Sequence, residues 1–235
     1  MKEITIGDAL HRALALEALV REHADEAEQI RRLPNPVAEA FAASGLYRIA
    51  APESLSGCDA PPGVQMAVIE AVSRFDGSAG WNLMIGIETF ALLAPGCTAC
   101  LSLIEDPMVV MASSTAAVGR AVREGDGYRV NGRWQFVSGC HNASVFGATV
   151  RLYEGDEPVS QNLYAMVTLP DFRIEDTWHV GGLKGSGSHD VCVDGIWVPE
   201  SQIVAPLGGG MVKSNQLRFP LGSRLAFNKV AVALG

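Results

Sequence analysis

The chain has 235 residues, 48% of them hydrophobic, which is enough for one large domain or two small ones with real cores. A formal net charge of -8 lacks the basic footprint that a phosphate backbone or an anionic membrane surface requires, so neither nucleic acid nor membrane is an expected partner. The first thirty residues carry His11, Arg12, Glu17, Arg21, Glu22, Asp25 and Glu26, which suits neither a signal peptide nor a membrane anchor, and five cysteines without a leader read as reduced thiols of a cytoplasmic protein.

Between Ile6 and Arg32, the residues Leu10, Leu14, Leu16, Leu19, Val20, Ala24 and Ala27 recur at helical spacing among charges, which predicts one amphipathic helix. Asn35 as N-cap, Pro36 in the first turn and Gly45 at the end bracket a short second helix. APESLSGCDAPPG, residues 51–63, reads as loop. Two apolar helices follow over residues 62–75 and 78–93, with Asp76-Gly77-Ser78 supplying a cap for the later one.

Beyond Pro107 the period changes to that of strands. In VREGDGYRVNGRWQFV, residues 122–137, both Gly125-Asp126-Gly127 and Asn131-Gly132 are turn signals. The second predicts a hairpin, because both central residues of such a turn need positive φ. Further strands are expected over 144–152, 162–169, 172–175 and 189–198. PLGGGM, 206–211, reads as a linker or flexible loop, and the residues from Asn215 to the end read as the opening of another amphipathic helical region, an apolar stub that needs a partner. The fold class is therefore α+β: an all-α domain over 1–107, a β-barrel domain over 108–205, and over 206–235 a linker and the start of a C-terminal helical region.

GGLKGSGSHD, 181–190, has neither the GxxxxGK[ST] spacing nor a GxGxxG leading into a helix, since VCVDGIWV behind it reads as strand. That leaves a flexible hairpin loop or, through Ser186, Ser188 and exposed backbone N–H groups, a seat for a phosphate or flavin edge. CTAC, 97–100, has the spacing of a redox or zinc pair, but Cys58, Cys140, His141 and Cys192 supply no second pair, so buried structural thiols lead and no metal is expected. His141, His179 and His189 fall near strand ends, where a structural and a substrate-facing role compete. GxSxG is absent, which leaves a nucleophilic hydrolase without support. Trp81, Trp134, Phe136, Trp178 and Trp197 are core residues by default, yet aromatics at strand ends beside serines would also wall a flat heteroaromatic ring.

Taken in order, a helical N-terminal region, VVMASSTAAVGRAV, GYRVNGRWQFVSGC and WHVGGLKGSGSHDVCVDGIWVPES resemble the acyl-CoA dehydrogenase superfamily. Within it the chain most resembles the reduced-flavin-dependent, two-component (group D) monooxygenases. The resemblance implies that the strand carrying Trp134 lies against the isoalloxazine of reduced FMN or FAD, with Phe136 packed on the ring and Ser138 near N5. It implies that Ser113, Ser114 and Thr115 meet the pyrimidine end, and that Ser186 and Ser188 lie near the cofactor's phosphate or a neighbouring subunit's cofactor. Trp81, Asn82, His141 and Trp178 become candidates for the substrate pocket, and His141 also for catalysis. The remaining catalytic residues are expected in a C-terminal helical bundle that this chain lacks. The expected partners are O2, a small aromatic or related substrate and a flavin reductase, with a homotetramer if the bundle exists. Two alternatives accompany this reading. An acyl-CoA dehydrogenase is disfavoured because Ser113-Ser114-Thr115-Ala116 stands where dehydrogenases carry a Thr-Glu-Pro-like sequence, and a catalytically incomplete fragment would act as an interaction module.

Overall fold

The structure, a computed structural model, describes residues 5–159, 162–206 and 221–235. Its N-terminal segment is three short helices, α1 (Ile6–Leu14), α2 (Glu17–Glu22) and α3 (Ala24–Ile30), where periodicity alone predicts one. The backbone leaves helical geometry at Leu16 and His23, where ψ is 1° and 3°. Each break re-aims the next segment, so that Ala9, Ala13, Val20 and Ala27 all remain buried. The helix α4 (Asn35–Ala43) holds Pro36 in its first turn, but Asn35 is its first residue and not its cap. The Asn35 side chain is used elsewhere: its Oδ1 accepts from Asn142 Nδ2 at 3.1 Å, a bond from the helices to the start of the β region. Gly45 closes the segment at φ 75°.

The central pair of helices is α5 (Pro62–Ser73) and α6 (Gly77–Leu93). Asp76 caps α6, accepting from the Ala79 N–H at 2.7 Å. Phe41, Leu46, Ile49, Ile69, Leu83, Met84 and Ile87 fill the core between these helices. After residues 207–220, which lie outside the described set together with most of the expected PLGGGM linker, α7 (Leu221–Leu234) packs back across α5 and α6. The apolar stub expected to need a partner therefore has one face covered by its own chain. Ala231 is buried there, and the buried Asn228 amide donates to Gln65 Oε1 and Glu88 Oε1, each at 3.4 Å.

The strands β1 (Met111–Glu124), β2 (Gly127–Val137), β3 (Val145–Glu154), β4 (Glu157–Pro158), β5 (Leu163–Thr168), β6 (Arg173–Glu175), β7 (His189–Pro199) and β8 (Ile203–Val204) form one mixed sheet. Its order is β6-β7-β2-β1-β3-β5-β8, with β4 beside β3; β1 and β3 run parallel and the other pairs antiparallel. The sheet curls around Trp134, Phe146 and Phe172, so that β5 and β7 approach each other as in an open barrel. Gly125-Asp126 is the hairpin loop between β1 and β2, with Gly125 at φ 64°. Asn131-Gly132 is not a turn. It lies inside β2, where the register with β7 shifts opposite Gly195 at φ 63°. Gly132 is glycine for a different reason: a Cβ there would stand 2.6 Å from the Trp134 ring. Among the described residues, no helix is long and apolar enough to cross a membrane.

Candidate active site

On α6, Trp81, Ile85, Glu88, Thr89 and Leu92 fall at helical spacing on one stripe. This stripe runs beside the start of β1 and the end of β2. The Trp81 indole Nε1–H donates to Ser138 Oγ at 2.9 Å, and two turns further on Thr89 Oγ1 lies 3.0 Å from Ser113 Oγ. At the second of these anchors lies a cleft of about 280 Å³. Ile85 and Leu92 give it apolar wall, while Glu88, Thr89, Ser113, Ser114, Thr115 and Gln135 give it polar groups; Phe136 and Lys229 of α7 complete it.

Local geometry explains why Phe136 reaches this surface. The register of β2 against β7 shifts between Trp134 and Val137, and Phe136 adopts φ 58°. A left-handed non-glycine residue costs on the order of 1–2 kcal/mol, and such strain gathers at functional sites. Here it turns the ring out of the sheet, 68% exposed and edge-on to Trp178 at 6.2 Å between centroids. Two residues on, Ser138 points inward. Its Oγ lies 2.7 Å from Ser188 Oγ, which lies 2.8 Å from Ser186 Oγ, and all three serines are buried.

No family model matches the chain. It is 32% identical over 200 residues to the oxygenase subunit HsaA, a flavin-dependent monooxygenase of Rhodococcus jostii, covering 83% of this chain and 52% of that protein. It is 34% identical over 200 residues to the indole-3-acetate monooxygenase of Pseudomonas putida, covering 82% and 51%. Its fold superimposes with a TM-score of 0.84 on XiaF from Streptomyces sp., solved with FADH2 and glycerol, at 25% identity over 97% of this chain and 60% of that one. The chain is homologous to flavin-dependent monooxygenase oxygenase subunits and has their acyl-CoA dehydrogenase fold. It spans about half the length of the curated relatives it matches.

As a test of fit to a monooxygenase flavin, the cleft has what a flat heteroaromatic ring with one polar edge needs. An exposed aromatic face stands at Phe136, apolar wall at Ile85 and Leu92, and hydroxyl and amide groups at Thr89, Ser113, Ser114, Thr115 and Gln135. Ser113, Ser114, Thr115 and Phe136 line the cleft together; Trp178 meets Phe136 edge-on, and Trp81 and Ser138 are bonded to each other outside the lining.

Three expectations are corrected. Trp134 is fully buried in the barrel while Phe136 is exposed, and its Nε1–H donates to Thr149 O at 2.9 Å, so it supports the sheet and does not line the cleft. Asn82 is buried away from the cleft: its Nδ2 donates to Ser78 O and Gly185 O at 3.0 and 3.1 Å, and Gly139 sits against its Oδ1. The GSGS segment is neither a flexible hairpin nor a phosphate cradle. It folds as a buried 3₁₀ turn, Lys184–Ser186, whose backbone N–H groups at Lys184 and Gly185 are already taken by Glu28 Oε1 at 3.1 and 3.4 Å. Ser186 and Ser188 turn inward to Ser138.

His141 lies apart from the cleft, in a different depression shared with Asn35, Glu39 and Asn142. Its Nδ1 accepts from Arg32, and its ring meets His189 edge-on at 5.0 Å. Burial first, then the neighbouring His189 and Arg32, push His141 down to about 4, so it is neutral near pH 7. His189 accepts from the Thr177 and Trp178 N–H groups through Nδ1, at 3.2 and 3.3 Å, which leaves Nε2 to donate to Arg31 O at 3.1 Å. Arg31 forks onto Asp176 at 2.6 and 2.8 Å. These histidines clasp the end of α3 to the start of β7. Cys97 and Cys100 are buried free thiols, and no cluster of three or more metal-ligating side chains occurs among the described residues.

Sequence reasoning missed Glu88, Thr89, Gln135 and Lys229 in the cleft and Glu28 beneath the GSGS turn. A signal existed for the first two: Glu88-Thr89 is a polar pair interrupting the otherwise apolar second half of α6.

Proposed function

We propose that the chain is the flavin-seating part of a two-component monooxygenase oxygenase, one that takes reduced FMN or FAD from a flavin reductase and uses O2 to hydroxylate an aromatic or related small substrate. The observation that carries this reading is the outward Phe136 ring, held in left-handed geometry at the mouth of a hydroxyl-lined cleft, two residues from the buried hydroxyl of Ser138. The kinship with HsaA and indole-3-acetate monooxygenase supports it, as does the replacement of the dehydrogenase acidic loop by Ser113-Ser114-Thr115-Ala116. A homotetramer and a cytoplasmic location belong to the same proposal.

Reduced flavin, when bound, supplies the electrons that activate O2 for insertion into the substrate. The chain's own residues do the rest. Phe136 and Trp178 offer aromatic surface to a flat ring, and Ser113, Ser114 and Thr115 present hydroxyl and backbone groups to its polar edge. Ile85 and Leu92 keep water from one side, which protects a reactive centre from side reactions. Ser138 holds a hydroxyl at the end of the aromatic surface, anchored from behind by Trp81 and Ser188.

The test titrates the chain anaerobically with reduced FMN and with reduced FAD. Saturable binding of at least one of them is expected. Failure of both reduced flavins to bind would overturn the reading.

A further inference from the structure

We propose that Lys229 is a specificity-determining residue: from the helix side of the cleft, its ammonium selects aromatic substrates that carry a carboxylate. The inference rests on the flavin reading above, because it concerns the ligand that faces the flavin across the cleft.

The cleft has two unlike sides. From the sheet come the hydroxyls of Ser113, Ser114 and Thr115 and the exposed ring of Phe136, which suit the flavin. From the helices come Ile85, Glu88 and Leu92 of α6 and Lys229 of α7. A flat ring laid on the sheet side turns its other face to the helices. A substrate placed there meets apolar wall at Ile85 and Leu92 and opposite charges at Glu88 and Lys229. Among the described residues Lys229 is the only cation that lines the cleft. It is exposed and forms no hydrogen bond or ion pair with a described residue, so its charge is open to a ligand.

The packing of α7 aims this charge. Asn228, one residue earlier, is buried, and its amide ties α7 to Gln65 and Glu88 at 3.4 Å each. Ala231 is fully buried, and Gly235 ends the helix so close to α5 that a Cβ there would stand 2.6 Å from Glu70 O. One residue is about 100° of helical turn, so Lys229 stands beside the buried seam between α6 and α7 and reaches the cleft from there. Glu88, held by Asn228, gives the α6 side a negative charge. A ligand carboxylate is repelled from Glu88 and drawn to Lys229, which leaves its ring against Ile85 and Leu92. An uncharged aromatic of the same shape gains no such attraction, and the chemical class that fits both helix-side charges and the apolar wall is therefore an aromatic acid.

The test uses two probes that differ in charge and little in shape, 4-hydroxybenzoate and 4-hydroxybenzamide. Equilibrium dialysis, run anaerobically on the chain saturated with reduced FMN or FAD, gives a Kd for each. The acid is expected to bind more tightly than the amide, and added salt to weaken the acid alone. Lys229→Gln is expected to weaken the acid about fivefold, the scale of one partly screened ion pair, and to leave the amide unchanged. Lys229→Arg, which keeps the charge, is expected to retain the preference. Lys229 is exposed, so both variants should fold as the wild type does. Acid that binds no more tightly than amide in the wild type, or acid and amide that weaken together in Lys229→Gln, overturns the inference while leaving the flavin reading intact. So does a Lys229→Gln variant that loses reduced flavin as strongly as it loses the acid, since the charge would then serve the flavin. Wild-type chain that binds neither reduced flavin overturns that reading, and the inference with it.

Discussion

Thr89 Oγ1 and Ser113 Oγ stand 3.0 Å apart, joining the middle of α6 to the start of β1 inside the cleft. Thr89 is buried on an apolar helix, so its hydroxyl has this bond in place of water. Thr89→Val keeps the shape and leaves Ser113 without its partner. It is expected to cost about 1–2 kcal/mol in urea denaturation and to lower flavin affinity severalfold. Unchanged affinity would show that the hydroxyl pair does not orient the ligand.

Phe136 separates stability from function. Phe136→Gly relieves the left-handed backbone but loosens the unfolded chain and forfeits the edge contact with Trp178, so stability is expected to stay within about 1 kcal/mol of wild type. Affinity for reduced flavin should fall at least about tenfold, the equivalent of about 1.4 kcal/mol of lost ring contact. Loss of stability without loss of binding would reverse the assignment.

Gly119 carries the opposite expectation. A Cβ there would lie 2.3 Å from the Trp134 ring and 2.7 Å from Thr149 O, both fixed in the barrel core. Gly119→Ala is expected to destabilise by about 3 kcal/mol through overpacking. Thermal unfolding measures this directly, and a shift of under a degree would mean that the sheet yields more easily than its packing implies.

The histidine clasp sets a pH dependence. His141 is held down to about 4 by burial, His189 and Arg32, and His189 is lowered as well, chiefly by burial. An unfolded histidine titrates near 6.5, so between there and about pH 4 the unfolded chain binds protons that the folded one refuses. The clasp therefore contributes its full stability above pH 6.5 and loses it as pH falls toward 4. Asp176, kept down to about 2 by the Arg31 hydrogen bonds, loses its contribution only below its ordinary 3.8, outside this window. Urea midpoints measured across pH 4–7 should slope less steeply for His141→Gln than for wild type. Parallel slopes would contradict the assignment.

Local signals carried most of the fold. Asp76 before α6, Gly125-Asp126 between β1 and β2, and the change of period after Pro107 all act within a few residues, and the structure follows them. The misreadings share a different cause. Asn131-Gly132 reads as a turn because nothing nearby reveals that the glycine makes room for the Trp134 ring inside β2. Ser186 and Ser188 read as part of a flexible hairpin loop or a seat for a phosphate or flavin edge because their partner, Ser138, is 50 residues from Ser188 in the chain, and Glu28, which takes the loop's N–H groups, is 156 residues from Lys184. Periodicity sees one helix from Ile6 to Arg32 because the breaks at Leu16 and His23 preserve the buried face. The order of family-like segments points to Ser113 and Phe136, which line the cleft, whereas Thr89 and Lys229, which line it too, belong to helices whose packing against the sheet no local pattern encodes.

The most direct measurement is an anaerobic titration of the chain with reduced FMN and with reduced FAD, following the fluorescence of Trp81 and Trp178 at the rim of the cleft, in wild type and in Phe136→Ala. Saturable quenching by at least one flavin, weakened about tenfold or more in Phe136→Ala, is the expected result. Quenching that never saturates, or that saturates equally in both proteins, would contradict the claim that this cleft seats the flavin.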